Sequence, residues 1–202
     1  MSDYQNSSPT TLRSSEPASN TSGFLQPERM IPRLEVRPGM QVADFGCGSG
    51  HFSIPLARSV GELGKVFSID VQKQSIDLIK SRANLEHLLQ IETIWADLEG
   101  PQGSHLHENS IDFVVVSNIL FQVERKDNVI NEAYRILKPG GCLVMIEWDD
   151  TPFPAGPAPE LRIAKKTARL LAEGSHFTME KEFDAGSHHY GLLFRKQQTV
   201  NN

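Results

Sequence analysis

The chain has 202 residues, 39% of them hydrophobic, with 20 Lys and Arg against 25 Asp and Glu for a formal net charge of −5. That length suits one domain plus a tail, and the acid excess argues against a nucleic-acid partner. No apolar run reaches the roughly 18–20 residues that a membrane-spanning helix needs.

Residues 1–23 are rich in Ser, Thr, Asn and Pro and poor in large apolar groups, so they read as disordered. They carry neither a basic n-region nor an apolar h-region, so no secretory signal is expected. The two cysteines, Cys47 and Cys142, lie in unrelated segments and suggest a reducing compartment, taken here as the cytoplasm. Order is predicted to begin near Phe24, with a short helix over Pro27–Leu34 and a turn at Arg37-Pro38-Gly39.

Strand and helix patterns then alternate. Strands are predicted over Gln41–Phe45, Val66–Asp70, Ile91–Trp95, Ile111–Ser117 and Cys142–Trp148. Helices are predicted over Phe52–Val60, Lys73–Leu85, Asn128–Leu137 and Glu160–Glu173. The Ile111–Ser117 run is almost continuously apolar, as in a strand covered on both faces. Four prolines between Asp149 and Pro159 exclude a regular element there. Phe177–Phe183, the turn Asp184–Ser187 and His188–Arg195 read as a terminal hairpin. The alternation implies an α/β, doubly wound, mostly parallel sheet with an antiparallel edge. A single domain is expected over 24–197, with its core over 39–148 and a C-terminal helix and hairpin over 159–196.

The densest signal is Asp44-Phe45-Gly46-Cys47-Gly48-Ser49-Gly50, an acid and three alternating glycines between a strand and a helix. Alternating glycines let the backbone turn and approach a ligand without a Cβ in the way. The dinucleotide fingerprint G-x-G-x-x-G fits in neither register, because His51 and Ser53 stand where the third glycine belongs. Ligands of doubly wound sheets bind at the carboxyl ends of the strands. Asp44, Asp70, Asp97 and Ser117 all fall at or near such ends, so they share one address.

The D-x-G-x-G-x-G run resembles the first motif of the class I S-adenosylmethionine-dependent methyltransferases. Val66–Asp70, Ile94–Leu98, Ile111–Ser117 and the Leu137-Lys138-Pro139-Gly140-Gly141 turn resemble further landmarks in the family's order. The likeness is greatest to the small-molecule branch that includes ubiquinone/menaquinone and arsenite methyltransferases, although the extra cysteines for arsenite capture are missing. The resemblance implies a Rossmann-like fold of seven strands and S-adenosyl-L-methionine as cofactor. It implies that Asp70 takes the ribose hydroxyls and that Val71 packs on the adenine. Asp97 and the Leu98 N–H would meet the adenine edge. Asp44 and the Ser117 carbonyl would face the methionine amine, and Gly46, Gly48 and Gly50 would give backbone clearance. Asp70 has a plainer alternative as a helix cap, and Asp97 as a loop acid.

The implied reaction is methyl transfer to a small-molecule acceptor. Substrate-side candidates are Phe24, Arg29, Asn118, Phe121, Gln122, the Glu147–Asp150 run, and His188, His189 and Tyr190, the first and last of these three sharing a face. No catalytic base is assigned and no metal is expected. Two other readings stay open: a non-catalytic cofactor-binding partner subunit, and an NAD-dependent oxidoreductase.

Overall fold

The computed structural model describes residues 25–198 apart from Pro152 and Ala155. The expected disorder of 1–23 and the candidate Phe24 lie outside the described residues.

Seven strands form one sheet: β1 (Gln41–Phe45), β2 (Lys65–Asp70), β3 (Ile91–Trp95), β4 (Ile111–Ser117), β5 (Leu137–Trp148), β6 (Phe177–Asp184) and β7 (His189–Lys196). Their spatial order is β3-β2-β1-β4-β5-β7-β6. The first five run parallel, while β7 pairs antiparallel with both β5 and β6. The expected mostly parallel sheet with an antiparallel hairpin at its end is therefore what the chain builds. Strand order reverses between β1 and β4, and their carboxyl ends flank a crevice there.

Helices cover both faces. On one face lie α1 (Pro27–Met30), α2 (Ser53–Val60) and α3 (Lys73–Leu85); on the other lie α4 (Lys126–Ile136) and α5 (Lys165–Gly174). Alternate residues of the central strands feed the two layers. Val42, Phe113, Val115, Val144 and Ile146 pack with Leu56 and Val60 of α2. Phe45, Val114, Val116, Leu143 and Met145 pack with Ile130 and Ile136 of α4. Burying each such side chain stabilises the fold by roughly 1.5–3 kcal/mol, which is why the central strands are apolar on both faces.

Three expectations need correction. The helix expected over Glu160–Glu173 starts only at Lys165, after a single 3-10 turn at Pro159–Leu161. Arg162 holds the segment extended, donating to the carbonyls of Asp149, Thr151 and Pro157, while Ile163 gives its carbonyl to the Tyr190 hydroxyl. Leu78, one of the apolar residues whose pattern predicts α3, is 46% exposed, because Ile76, Ile79 and Ala83 already form the buried stripe. His188 precedes β7 and stacks on Phe153, whereas Tyr190 points into the opposite layer, so the two share no face.

Candidate active site

The glycine turn is shaped by what touches it. The N–H groups of Gly46 and Cys47 both donate to the Ile69 carbonyl, which ties the turn to β2. Gly46 has φ +69°, and a Cβ there would lie 2.1 Å from Ile119 Cγ2, so only glycine fits. Gly48 (φ +49°) has open space where its Cβ would be, the nearest heavy atom being 4.0 Å away. Gly50 differs from its expected role. It does not line the cleft, and its Cβ would press on Ile79 at 3.2 Å, so it serves helix packing.

Beside the turn a cleft of about 610 Å³ opens at the β1–β4 crevice. Eight of the nine residues expected to hold the cofactor line it: Asp44, Gly46, Gly48, Asp70, Val71, Asp97, Leu98 and Ser117. Asn118 and Gln122 join them, whereas Phe121 does not.

Asp70 ends β2 with its two oxygens partly engaged. Oδ2 accepts from the Gly48 N–H at 2.9 Å and Oδ1 from the Gln72 N–H at 2.8 Å. A carboxylate oxygen accepts more than one hydrogen bond, so each keeps capacity for a ligand. The Gln72 contact is a turn two residues on rather than a helix cap, since Gln72 itself stands at the N-cap of α3 with no side-chain cap hydrogen bond, and it coexists with a place in the cleft. Val71 stands 61% exposed at the rim, its carbonyl held by the Trp95 indole N–H at 2.9 Å. Asp97 is exposed and closes its own turn, Oδ1 accepting from the Glu99 N–H at 2.9 Å.

Asp44 is buried at the floor. The Ser53 hydroxyl donates to its Oδ2 at 2.5 Å and is itself hydrogen-bonded to Ser68 at 2.8 Å. Burial pushes its pKa up to about 7; the Ser53 bonds oppose that rise, and the nearby Asp70 adds to it. Burial, then Asp44 and Asp70, push the neighbouring Cys47 thiol far above its ordinary range, so it is no nucleophile.

Asn118 adopts φ +56°, a left-handed conformation that Asn tolerates better than most side chains. Its Nδ2 lies 3.1 Å from His189 Nε2, and its carbonyl accepts from the Gln122 amide at 2.8 Å. Glu147, expected at the rim, is instead wholly buried. Its Oε1 accepts from the Leu120 N–H at 2.9 Å, and burial raises its pKa to about 8. It thus braces the 118–120 turn as a neutral acid. Tyr190 is also buried, its hydroxyl held by the Ile163 carbonyl at 2.6 Å.

Two contributors escaped the sequence reading. Ser53 offered no signal as Asp44's partner, because a serine in a first helical turn is commonplace. His51 reaches across the cleft mouth, its Nε2 lying 3.1 Å from the Leu25 carbonyl.

Four carboxylates line the cleft (Asp44, Asp70, Asp97 and Glu99), and among its described lining residues there is no Lys or Arg. Such walls favour a cation and repel a pyrophosphate.

A profile of the methyltransferase domain family matches residues 37–196. The chain belongs to that family. A demethylmenaquinone methyltransferase of Oceanobacillus iheyensis is 35% identical over 118 residues, which cover 58% of this chain and 48% of that protein. A ubiquinone/menaquinone biosynthesis C-methyltransferase of Haemophilus ducreyi is 35% identical over 121 residues, 58% of this chain and 45% of that one. The chain thus spans about half the length of these relatives. The crystal structure of a SAM-dependent methyltransferase from Aquifex aeolicus superposes with a TM-score of 0.80 at 24% identity, over 89% of this chain and 93% of that one. The methyltransferase fold is thereby shared; what the cleft binds rests on its own residues.

Proposed function

We propose that this methyltransferase-family chain binds S-adenosyl-L-methionine in the carboxylate-lined cleft and directs its methyl group to a small-molecule acceptor. The observation that carries this reading is the cleft's charge. S-adenosyl-L-methionine bears a sulfonium and an ammonium, both suited to acidic walls, whereas NAD would bring a pyrophosphate against four acidic side chains with no Lys or Arg among the described lining residues to meet it.

Asp70 would hold the ribose hydroxyls with its remaining acceptor capacity. Val71 and Leu98 would bracket the adenine, and the Asp97 carboxylate would accept from its amino group. Asp44 and the Ser117 carbonyl would receive the methionine ammonium. Gly46 and Gly48 leave the backbone bare beside them; Gly50 supports the turn from behind. When bound, the cofactor supplies an activated methyl electrophile. The protein's part is placement within about 3–3.5 Å of an acceptor atom and exclusion of water.

The relatives' names put quinone-ring compounds among the acceptors to try. Among the described residues no helix is long and apolar enough to cross a membrane, and we place the protein in the cytoplasm as part of the same reading.

Calorimetry tests the binding step. S-adenosylhomocysteine is expected to bind and NAD to give no heat. Asp70→Ala is expected to weaken S-adenosylhomocysteine by roughly 1.5–3 kcal/mol, the loss of charge-assisted hydrogen bonds. An unchanged affinity would place the ribose elsewhere. Transfer of labelled methyl into an extract then separates an enzyme from a binding subunit, since tight binding without labelled product favours the latter.

A further inference from the structure

A second cavity of about 470 Å³ lies between the α1 segment and the β6–β7 turn. Its character is opposite to that of the cofactor cleft. Among its described lining residues the cations are Arg29, Arg33 and Lys181 and the one carboxylate is Asp184, engaged by the Gly186 N–H at 2.9 Å. Arg29 lies in α1 and Arg33 in the 3-10 turn that follows it, and both line this cavity. Among the described residues none of these three cations forms an ion pair, although the chain is acidic overall. The Lys181 ammonium donates to the Arg33 carbonyl at 3.5 Å, and its charge adds to that of Arg195 in holding the nearby Glu35 carboxyl below its ordinary range. Behind them the wall is apolar, formed by Met30, Leu34 and Phe183.

The two cavities share no described lining residue, but their walls are built from neighbouring residues. Leu25 lines the cofactor cleft and Gln26, its chain neighbour, lines the second cavity. On the other side, Asn118 of the cleft touches His189, whose N–H donates to the carbonyl of Gly186 in the second cavity at 3.2 Å.

We propose that this cavity is the acceptor subsite, and that the acceptor is a small amphipathic carboxylate. Its anionic group pairs with Arg29, Arg33 and Lys181, and its apolar body lies on Met30, Leu34 and Phe183. The inference rests on the cofactor reading above for the identity of the neighbouring cleft. Charge separates the two ligands: the acidic cleft rejects the anion and the basic cavity rejects the sulfonium, so neither site is blocked by the other's occupant.

The test compares decanoate with decanol as probes, by calorimetry on the full chain saturated with S-adenosylhomocysteine. Decanoate is expected to bind roughly tenfold or more tightly than decanol, the worth of a charge-assisted hydrogen bond. In the triple variant Arg29→Gln, Arg33→Gln, Lys181→Gln that preference should vanish, with S-adenosylhomocysteine binding retained. All three side chains are exposed, so the variant is expected to fold, and its retained nucleoside binding reports that it has. Equal binding of the two probes by the wild type, or an undiminished preference in the variant, overturns the proposal. Failure of S-adenosylhomocysteine to bind the wild type overturns the cofactor reading instead, so the two failures are distinguishable.

Discussion

At the scale of single residues, the cleft is governed by how Asp44 is held. Its burial beneath the glycine turn leaves the carboxyl half-protonated near neutrality, because its pKa is raised to about 7. A ligand ammonium favours the ionised form and must displace that proton. Affinity for S-adenosylhomocysteine is therefore expected to rise from pH 5.5 to about 7 and to level between there and pH 8, with proton release seen as a buffer-dependent enthalpy on the rising limb. Ser53→Ala removes the hydrogen bond that favours the ionised form and should move the curve to higher pH. An affinity independent of pH would mean that the ammonium binds elsewhere. Asp44 itself was visible in the sequence as the acid before alternating glycines. Its titration was not, since it depends on Ser53, Ser68 and the closeness of Asp70, which only the folded sheet assembles.

At the scale of elements, the three glycines separate into different duties. Gly46→Ala drives a methyl into Ile119 and places Ala at φ +69°. It is expected to destabilise the fold by roughly 2–5 kcal/mol, the sum of left-handed strain and overpacking. Gly48→Ala clashes with nothing, its nearest neighbour being the Gly46 carbonyl oxygen at 4.0 Å, so its stability loss should be confined to the strain of roughly 1–2 kcal/mol. Its methyl instead enters space beside the cleft, and ligand affinity should fall. Thermal unfolding with and without S-adenosylhomocysteine separates the two effects; equal stability losses would contradict this division. The motif's spacing announced a ligand turn but could not say which glycine faces the ligand. Likewise, apolar periodicity placed α3 and β3 at their observed bounds, since each repeats a single packing rule along its length. It failed over Glu160–Ala164, where an apolar helical pattern is overridden by Arg162 reaching back to three carbonyls of the proline-rich loop.

At the scale of the whole molecule, stability couples to pH through titratable groups whose charged forms are disfavoured by burial. In an unfolded chain the carboxyls of Asp44 and Glu147 ionise near pH 4, whereas in the fold they keep their protons to about 7 and 8. Between those limits the folded state binds more protons, so stability falls as pH rises. His189 acts the other way. Burial lowers its pKa to about 4, so stability falls as pH drops below about 6.5, where the unfolded imidazole takes up a proton. Glu147→Gln keeps an acceptor for the Leu120 N–H and removes one titrating group. Its melting temperature should decline less steeply than the wild type's between pH 5 and 8; parallel declines would mean that Glu147 is ionised in the fold.

The parallel core and the antiparallel ending were legible, because long apolar runs and turn residues set them; the order of the strands across the sheet was not, since it depends on which crossovers the assembled layers allow. The second cavity was not, since Arg29 and Lys181 lie far apart in the chain and meet only when β6 closes the sheet edge beside α1. The charge contrast between the two cavities is likewise a property of the assembled fold. The most direct test of the account is a crystal structure of the protein with S-adenosylhomocysteine. It should show the ribose hydroxyls on Asp70, the adenine between Val71 and Leu98, and the ammonium at Asp44. A nucleoside bound away from the β1–β4 crevice, or one whose ribose does not touch Asp70, would contradict it.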